Sequence, residues 1–490
     1  MELVENAIVK INYPDTWKGL EPKKEIKGSN SYLENFIEPI LTLKGDFLPI
    51  SAFSPDGSVP IGTTKLEKHG VARLLPKWIK ENCIQCNQCS FTCPHATIRP
   101  IMINSETTPP KSFETVDAIG IKNAKFRVQI VAEKCMGCGV CAEVCPAKEK
   151  ALVMTSTEEL LTREIANWDF ACKVEKADTS SFKKNTIKGS QFEKPLFEFS
   201  YACSGCGETP YIKLLTQLFG EKLLIANATG CSSIYGGSAP TCPYTTTKNG
   251  RGPAWANSLF EDNAEFGLGM RLAQNLQEKD RSVWAIGGDG WAYDIGFGGV
   301  DHVLASKENV NILVLDSEVY SNTGGQTSKA TPLGAVARFS SAGKQTNRKD
   351  LGFMAMTYQN AYVASVAMGA NKQQLINAFI EAESYNGPSI IIAYSPCIAH
   401  GVAMSKSMEE QRLAVACGHR ILYRYNPTLK KEGKTPLIID SKITMPLKDF
   451  YLRENRFASL HNTDKEKFDR LCQEAENANK DKYTLLEKLQ

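Results

Sequence analysis

The 490-residue sequence lacks long apolar runs, a secretory leader and a strong charge of either sign. Its longest apolar stretches, around 311–315 and 389–394, have the length of a β-strand and are too short to span a bilayer. Residues 1–10 have no basic start followed by an apolar stretch. A formal net charge of +3 gives no electrostatic reason to expect nucleic acid or an anionic membrane as a partner. The sequence therefore predicts a cytoplasmic protein that binds neither nucleic acid nor a membrane.

Cysteine, by contrast, is abundant, with sixteen residues. Cytosolic thiols stay reduced, so this number favours metal or redox chemistry over disulfide bonds. Twelve of the sixteen fall into three groups. The other four are expected to be buried small apolar residues: Cys172, Cys242, Cys417 and Cys472.

Two copies of one cysteine pattern lie between residues 71 and 160, and in each copy the fourth cysteine precedes a proline. This is the Cys-x2-Cys-x2-Cys-x3-Cys-Pro spacing of two-cluster bacterial ferredoxins, in which the fourth cysteine binds the neighbouring [4Fe–4S] cluster. The two predicted ligand sets are Cys83, Cys86, Cys89 with Cys145, and Cys135, Cys138, Cys141 with Cys93. A pair of four-cysteine zinc sites is the alternative, but zinc does not require three closely spaced cysteines followed by Cys-Pro.

A third group is less specific. Cys203 and Cys206 form a Cys-x2-Cys pair rich in glycine, and Cys231 and Cys397 lie in turn-like sequence near predicted strand ends. From spacing alone, a four-cysteine cluster site, a redox dithiol and half of a zinc site all remain open.

A glycine-flanked aspartate, Asp289, follows an apolar stretch that is predicted to be a strand, and a second predicted strand ends at Asp316. A carboxylate at the carboxyl end of a strand can hold Mg²⁺ beside a diphosphate, and a separation of about 25–30 residues is one β–α–β step. Gly-Asp-Gly alone is most often a turn, but together the two segments resemble the thiamine-diphosphate motif. That resemblance implies a Mg²⁺ and diphosphate site formed by Gly288, Asp289, Gly290, the Ser317 hydroxyl and the Val319 carbonyl.

The combined pattern resembles single-chain pyruvate:ferredoxin (or flavodoxin) oxidoreductases. The stretches that carry the resemblance cover most of the chain: 45–53, 56–64, both ferredoxin motifs, 93–96, 203–208, 287–299 and 319–326. The resemblance implies a third [4Fe–4S] cluster beside the thiazolium of thiamine diphosphate, held by Cys203, Cys206, Cys231 and Cys397. It also implies that Asn322 is a catalytic and cofactor-binding residue near the reacting ring. Ser317 replaces the usual threonine and keeps its hydroxyl.

The expected fold is an α/β thiamine-diphosphate-binding domain with a parallel sheet, preceded by an α+β ferredoxin-like domain. Predicted helices 264–278, 295–306 and 372–385 alternate with predicted strands 283–287, 310–316 and 389–394, as parallel sheets require. The expected regions are a connecting segment (1–70), a ferredoxin-like domain with two clusters (71–160), a thiamine-diphosphate domain with one cluster (161–420), and a C-terminal extension (421–490).

The resemblance further implies oxidative decarboxylation of pyruvate with coenzyme A, giving acetyl-CoA and CO₂ and passing electrons to ferredoxin or flavodoxin. The pyruvate- and coenzyme A-binding domains of such enzymes have no counterpart in this sequence. An N-terminal half is therefore an expected partner, a dimer of the assembled enzyme is expected, and the chain alone is expected to be inactive. Two alternatives remain: an oxidoreductase for another 2-oxoacid, or a non-catalytic electron-transfer module.

Overall fold

The structure is a computed structural model that describes residues 32–67, 69–237, 240–279 and 281–490. By their contacts the residues form two units, one ending at Phe53 and the other running from Ser54 to Gln490. The predicted connecting segment 1–70 lies partly outside the described residues, and residues 1–10, on which the expectation of no secretory leader rests, lie wholly outside them.

In the described part of the first unit, all helical elements are single turns. Pro39 lies in the first turn of one of them, where its missing N–H is tolerated. The ring of Phe36 stacks on Tyr32 and meets Phe53 edge to face, with centroids 5.0 and 5.1 Å apart. The bounds of these turns are Leu33–Ile37, Glu38–Leu41, Gly45–Phe47 and Ile50–Ala52.

The second unit begins with a small α+β portion that contains the first eight cysteines. Its strands are β1 (Leu74–Trp78), β2 (Ile98–Asn104), β3 (Val116–Asp117), β4 (Ala124–Ile130) and β5 (Leu152–Ser156). Strand β1 pairs antiparallel with β5, and β2, β4 and β3 form a second antiparallel sheet in that order. Its helices are Gln88–Thr92, Val140–Glu143 and Thr157–Lys173.

The rest of the second unit is built on one larger sheet. Its strands are β6 (Leu223–Ala228), β7 (Ala254–Ser258), β8 (Ser282–Gly287), β9 (Asn311–Asp316), β10 (Tyr362–Val366), β11 (Ser389–Tyr394), β12 (Tyr423–Tyr425) and β13 (Leu437–Ile439). Their spatial order is β13-β12-β10-β11-β9-β8-β6-β7. Six strands are parallel to one another. At one edge of the sheet, β12 pairs antiparallel with β10, and β13 pairs antiparallel with β12.

Helices cover both faces of this sheet. Helices Thr209–Phe219 and Lys372–Ser384 share one apolar core with the sheet, and Asn263–Leu276 and Phe297–Ala305 share the other. Every residue of β9 and β11 is buried, as expected for parallel strands covered on both sides. The further helices are Ile187–Ser190, Cys231–Gly237, Leu351–Met356, Ser407–Ala416, Leu447–Tyr451, Asn455–Thr463 and Lys465–Leu489.

These elements confirm the predicted fold class. The predicted helices and strands of the parallel sheet occur within two residues of their expected bounds. The sheet continues past residue 420 through β12 and β13, and the chain ends in a 25-residue helix. No helix in the described ranges combines the length and apolarity needed to cross a membrane.

One prediction about the unassigned cysteines is wrong. Cys242, Cys417 and Cys472 are buried, but Cys172 is exposed. The helix Thr157–Lys173 buries positions 160, 164, 167 and 171. Cys172 follows Ala171 by one residue, which rotates its side chain by about 100° away from that buried face.

Candidate cluster and diphosphate sites

The eight ferredoxin-type cysteines form two groups that cross between the motifs. One cavity is lined by Cys83, Cys86, Cys89 and Cys145. In the other group, burial raises the pKa of Cys135 to about 12 and that of Cys138 to about 11, and the Cys93 thiol adds to both shifts. Burial also raises the pKa of Cys141, with Cys138, Cys93 and Cys135 among its neighbours. These are the two sets that the sequence predicts, and their role as cluster ligands remains a prediction.

Both motifs turn through the left-handed region around their middle cysteine. Gly137 and Gly139 have φ values of 65° and 79°, and Gln85 and Asn87 occupy the same positions with 56° and 59°. This region is uncommon for glutamine. The buried Gln85 amide is held by donating a 2.7 Å hydrogen bond to the Asp117 carbonyl. Two different sequences therefore form the same cysteine-presenting turn.

The third group assembles at the carboxyl end of the larger sheet. Cys231 follows β6, Cys397 follows β11, and Cys203 and Cys206 lie in the loop before the helix Thr209–Phe219. All four line one cavity of about 580 Å³. The N–H of Glu208 donates to the Cys206 sulfur at 3.4 Å. Among the described residues, no three His, Cys, Asp or Glu side chains lie close enough together to bind a single metal ion.

The loop 203–206 of the third group is hydrogen-bonded to the ferredoxin-like portion. The Ser204 hydroxyl donates to the Met136 carbonyl at 3.2 Å, and the Gly205 N–H donates to the Cys138 sulfur. The His95 ring, in the loop that follows Cys93, lies 3.1 Å from the Ser200 carbonyl. The third group therefore adjoins the set that contains Cys138.

A second cavity, of about 550 Å³, lies at the same end of the sheet. It is lined by residues after β6 (Thr229–Ser232), β7 (Phe260), β8 (Gly288–Trp291) and β9 (Val319–Thr323), together with Glu208. After β6 the chain adds β7 on one side and β8 on the other, so the strand order reverses at this point. In open α/β sheets, ligands bind in the crevice at such a reversal.

The predicted Mg²⁺ ligands lie together at this cavity. The buried Asp289 carboxylate accepts the Ser317 N–H at 3.1 Å and the Ser328 hydroxyl at 3.4 Å. The Ser317 hydroxyl lies 3.2 Å from the Val319 carbonyl.

The electrostatics of Asp289 suit a bound cation. Burial raises its pKa well above the usual range, and the neighbouring Asp316 and Glu318 raise it further. Among the described residues, no cationic side chain forms an ion pair with Asp289, and a buried carboxylate without a counter-ion is costly. One carboxylate, one hydroxyl and one carbonyl form an oxygen donor set that suits Mg²⁺. The residues therefore fit the metal that the motif implies.

The glycines around Asp289 serve two different purposes. A side chain at Gly290 would collide with the Tyr320 ring, so the fold itself requires glycine there. At Gly288 the nearest atom to an added Cβ is the Leu315 carbonyl oxygen, 3.8 Å away, so the protein leaves room. Because Gly288 lines the cavity, its missing side chain leaves the backbone open to a ligand.

The two cavities share a wall formed by Glu208, Cys231, Ser321 and Asn322. Asn322 thus lies between the two cavities, and its role near the reacting ring remains a prediction from the family resemblance. The Ser321 hydroxyl is 3.2 Å from the Cys231 sulfur and 3.4 Å from the Ser317 hydroxyl.

Sequence reasoning missed Glu208 as a site residue. It is buried, accepts the Tyr235 hydroxyl at 2.9 Å, and has its pKa raised by burial to about 7. Its position directly after Cys206-Gly207 was the available signal, but only the folded chain shows that it lines both cavities.

Family comparisons agree with this architecture. Residues 82–148 match a 4Fe–4S dicluster domain, and residues 237–393 match the C-terminal TPP-binding domain of thiamine pyrophosphate enzymes. Residues 20–72 match a domain of unknown function. The chain thus combines a dicluster iron–sulfur domain with a thiamine-pyrophosphate-binding domain.

Curated relatives identify the family more narrowly. The chain is 49% identical to pyruvate:ferredoxin oxidoreductase of Moorella thermoacetica over 96% of its own length and 47% of the relative's. It is 45% identical to pyruvate-flavodoxin oxidoreductase of Nostoc sp. over 91% of its length and 44% of the relative's. It is also 45% identical to the mitochondrial pyruvate dehydrogenase [NADP(+)] of Euglena gracilis, covering 28% of that protein. The chain belongs to the pyruvate:ferredoxin and pyruvate-flavodoxin oxidoreductase family, and it spans somewhat less than half the length of the first two relatives.

Proposed function

We propose that this chain is the electron-carrying and diphosphate-binding part of a 2-oxoacid oxidoreductase that acts on pyruvate and coenzyme A. Ferredoxin or flavodoxin is the proposed electron acceptor. A polypeptide equivalent to the remaining length of the relatives supplies the pyruvate- and coenzyme A-binding domains, and the assembled enzyme is a dimer. The names of the relatives support the substrate and the electron acceptor, and their partial coverage supports the additional polypeptide.

The observation that carries the proposal is the wall shared by the two cavities. Thiamine diphosphate supplies the electron-sink chemistry that oxidative decarboxylation of a 2-oxoacid requires. In the proposed enzyme Asp289, Ser317 and Val319 hold Mg²⁺ and its diphosphate, and Asn322 faces the reacting end. Because Cys231 and Asn322 line both cavities, an electron acceptor bound by the third cysteine group would lie beside the reaction.

Three [4Fe–4S] clusters are proposed, one for each four-cysteine group. The cluster of the third group would transfer electrons to the cluster held by Cys93, Cys135, Cys138 and Cys141, since hydrogen bonds from Ser204 and Gly205 connect the two cysteine groups. The set Cys83, Cys86, Cys89 and Cys145 would follow, because Cys89 lies close enough to Cys141 to raise the pKa of its thiol. The exposed Ile84 at this last set marks a side from which a soluble acceptor could approach.

The cluster count can be checked by chemical analysis. Anaerobically purified or reconstituted protein should contain about twelve iron and twelve acid-labile sulfide atoms per chain, since three cubanes each hold four. About eight iron and eight sulfide atoms per chain, with the third cysteine group intact, would contradict the proposed cluster at Cys203, Cys206, Cys231 and Cys397. Tightly bound zinc without absorption near 400 nm would contradict the iron–sulfur assignment and indicate zinc sites instead.

Replacing Gly288 by alanine should weaken thiamine diphosphate binding at least tenfold without disturbing the fold. The added methyl group has room in the protein but occupies the space where the diphosphate approaches the backbone. Binding can be followed through the change in total tryptophan fluorescence, to which Trp291 in the cavity contributes. Gly298→Ala is the matched control, because it meets no atom within 4 Å and lies off the cavity. Equal affinity in the two variants would argue against a diphosphate at Gly288.

A non-catalytic electron-transfer module is the second candidate. Such a module would need the cysteine groups but not a buried oxygen donor set at the carboxyl ends of β8 and β9. The convergence of Asp289, Ser317 and Val319 therefore favours the enzyme. Residues that choose among 2-oxoacids would lie on the partner, so pyruvate is favoured by the relatives' names alone.

A further inference from the structure

The loop that joins the proposed Mg²⁺ ligands Ser317 and Val319 has an unusual centre. Glu318 between them has a φ of 64°, in the left-handed region that a residue with a side chain rarely adopts. The Ser317 N–H meets Asp289 and the Ser317 hydroxyl meets the Val319 carbonyl. A left-handed residue persists only where its surroundings hold it in place.

The Glu318 side chain is held by four cationic or ionisable groups. Its carboxylate lies 2.9 Å from Arg348, 3.0 Å from His419 and 2.6 Å from Arg456, and it is also paired with Arg420. The carboxylate is fully buried. Several strong contacts thus hold the Glu318 side chain outside the cavity that its neighbour Val319 lines.

The same network holds the start of the loop. Asp316, the last residue of β9, lies 2.7 Å from both Arg348 and Arg420. Arg456 is also paired with Glu454 at 2.7 Å. Three carboxylates therefore face three guanidinium groups, and the network is balanced without Asp289.

Most of these partners come from far along the chain. Arg420 follows the helix Ser407–Ala416, and Arg456 lies in the helix Asn455–Thr463 of the C-terminal extension. Replacing a buried ion network by apolar residues is often neutral for stability, so stability alone does not require these charges here. The charges instead contact the two acidic residues of the segment 316–319, Asp316 and Glu318.

We propose that Glu318, clamped by Arg348, Arg420 and Arg456, is a positioning residue that turns Ser317 and Val319 toward Asp289, so that the C-terminal extension supports the thiamine diphosphate site through Arg456. This rests on the proposed function. It gives the extension a role in cofactor binding, although none of the extension's residues lines the diphosphate cavity.

The test compares cofactor affinity in the full 490-residue chain with its clusters reconstituted. Mn²⁺ replaces Mg²⁺ as a spectroscopic probe, and the loss of the free Mn²⁺ signal is followed as thiamine diphosphate is added. Glu318→Gln should weaken binding at least tenfold, about 1.4 kcal/mol. The charge-balanced double variant Glu318→Gln with Arg456→Gln should lose affinity equally while it keeps cooperative melting and absorption near 400 nm. Arg456→Lys, which keeps the charge, should retain affinity within about threefold.

The control is a charge-balanced change at another ion pair of the same sheet, Arg424→Gln with Asp440→Asn. It should leave the affinity unchanged. If wild type binds and the double variant binds equally well, the positioning role is wrong while the proposed function stands. If the double variant loses cooperative melting and cluster absorption, the network is structural and the inference also fails. If wild type binds no Mn²⁺–thiamine diphosphate, the proposed function fails with it.

Discussion

Replacing Asp289 by alanine in the assembled enzyme should abolish the pyruvate- and coenzyme A-dependent reduction of viologen dyes. The carboxylate is the only charged group in the proposed metal donor set, and its hydrogen-bond partners Ser317 and Ser328 are neutral. A divalent ion contributes several kcal/mol of charge stabilisation, so its loss should lower turnover by roughly a thousandfold or more. The measurement is steady-state dye reduction after the chain is combined with a polypeptide that carries the proposed pyruvate- and coenzyme A-binding domains.

Two controls define the meaning of that result. Asp301→Asn removes a carboxylate that accepts the Tyr358 hydroxyl outside the cavity, and it should leave turnover nearly unchanged. The lone 490-residue chain should show no turnover, although dithionite should still reduce its clusters. Robust pyruvate oxidation by the lone chain would show that the whole active site lies in this half.

Replacing Cys93 by alanine should destroy the cluster held by the second motif and not the cluster held by its own. The Cys93 sulfur accepts the Thr97 N–H at 3.4 Å and lies with Cys135, Cys138 and Cys141, whereas Cys145 completes the cavity of Cys83. Loss of one ligand of four should reduce the iron content from about twelve to about eight atoms per chain. Electron paramagnetic resonance of the reduced protein should then lack one of the two ferredoxin-type signals.

The partner variant Cys145→Ala should remove the other signal. Cys242→Ala, which changes a buried cysteine outside the three groups, should leave iron content and spectra unchanged. If Cys93→Ala instead removes the cluster of Cys83, Cys86 and Cys89, ligation does not cross between the motifs.

Sequence patterns predicted the fold where the signal was local and continuous. Strands β8, β9 and β11 are almost wholly buried, so they stand out as apolar runs between glycine-rich turns. The edge strand β7, with the sequence Ala-Trp-Ala-Asn-Ser, and the three-residue strands β12 and β13 give no such signal. They are strands because neighbouring strands offer unpaired backbone groups, which is a property of the assembled sheet.

The candidate site residues show the same difference between those that a local sequence pattern predicts and those that only the folded chain brings together. The ferredoxin motifs place three cysteines within seven residues, so their grouping follows from spacing alone. The third group joins residues from 203 to 397, and only the family resemblance indicated it. No local pattern relates Glu318 to Arg420 or Arg456, because their contact arises only when the loop after β9 packs against later segments of the chain.

The bonds between the 203–206 loop and the ferredoxin-like portion have a mechanical consequence. An electron-carrying domain on a flexible tether must diffuse between a loading and a delivering position. Here Ser204 is bonded to Met136, and His95 contacts the Ser200 carbonyl, each within a few residues of a cysteine. Any swing of one portion away from the other would pull these cysteine loops apart. If the cysteine groups bind the proposed clusters, electrons should therefore cross this boundary over a fixed distance, at a rate that does not depend on solvent viscosity.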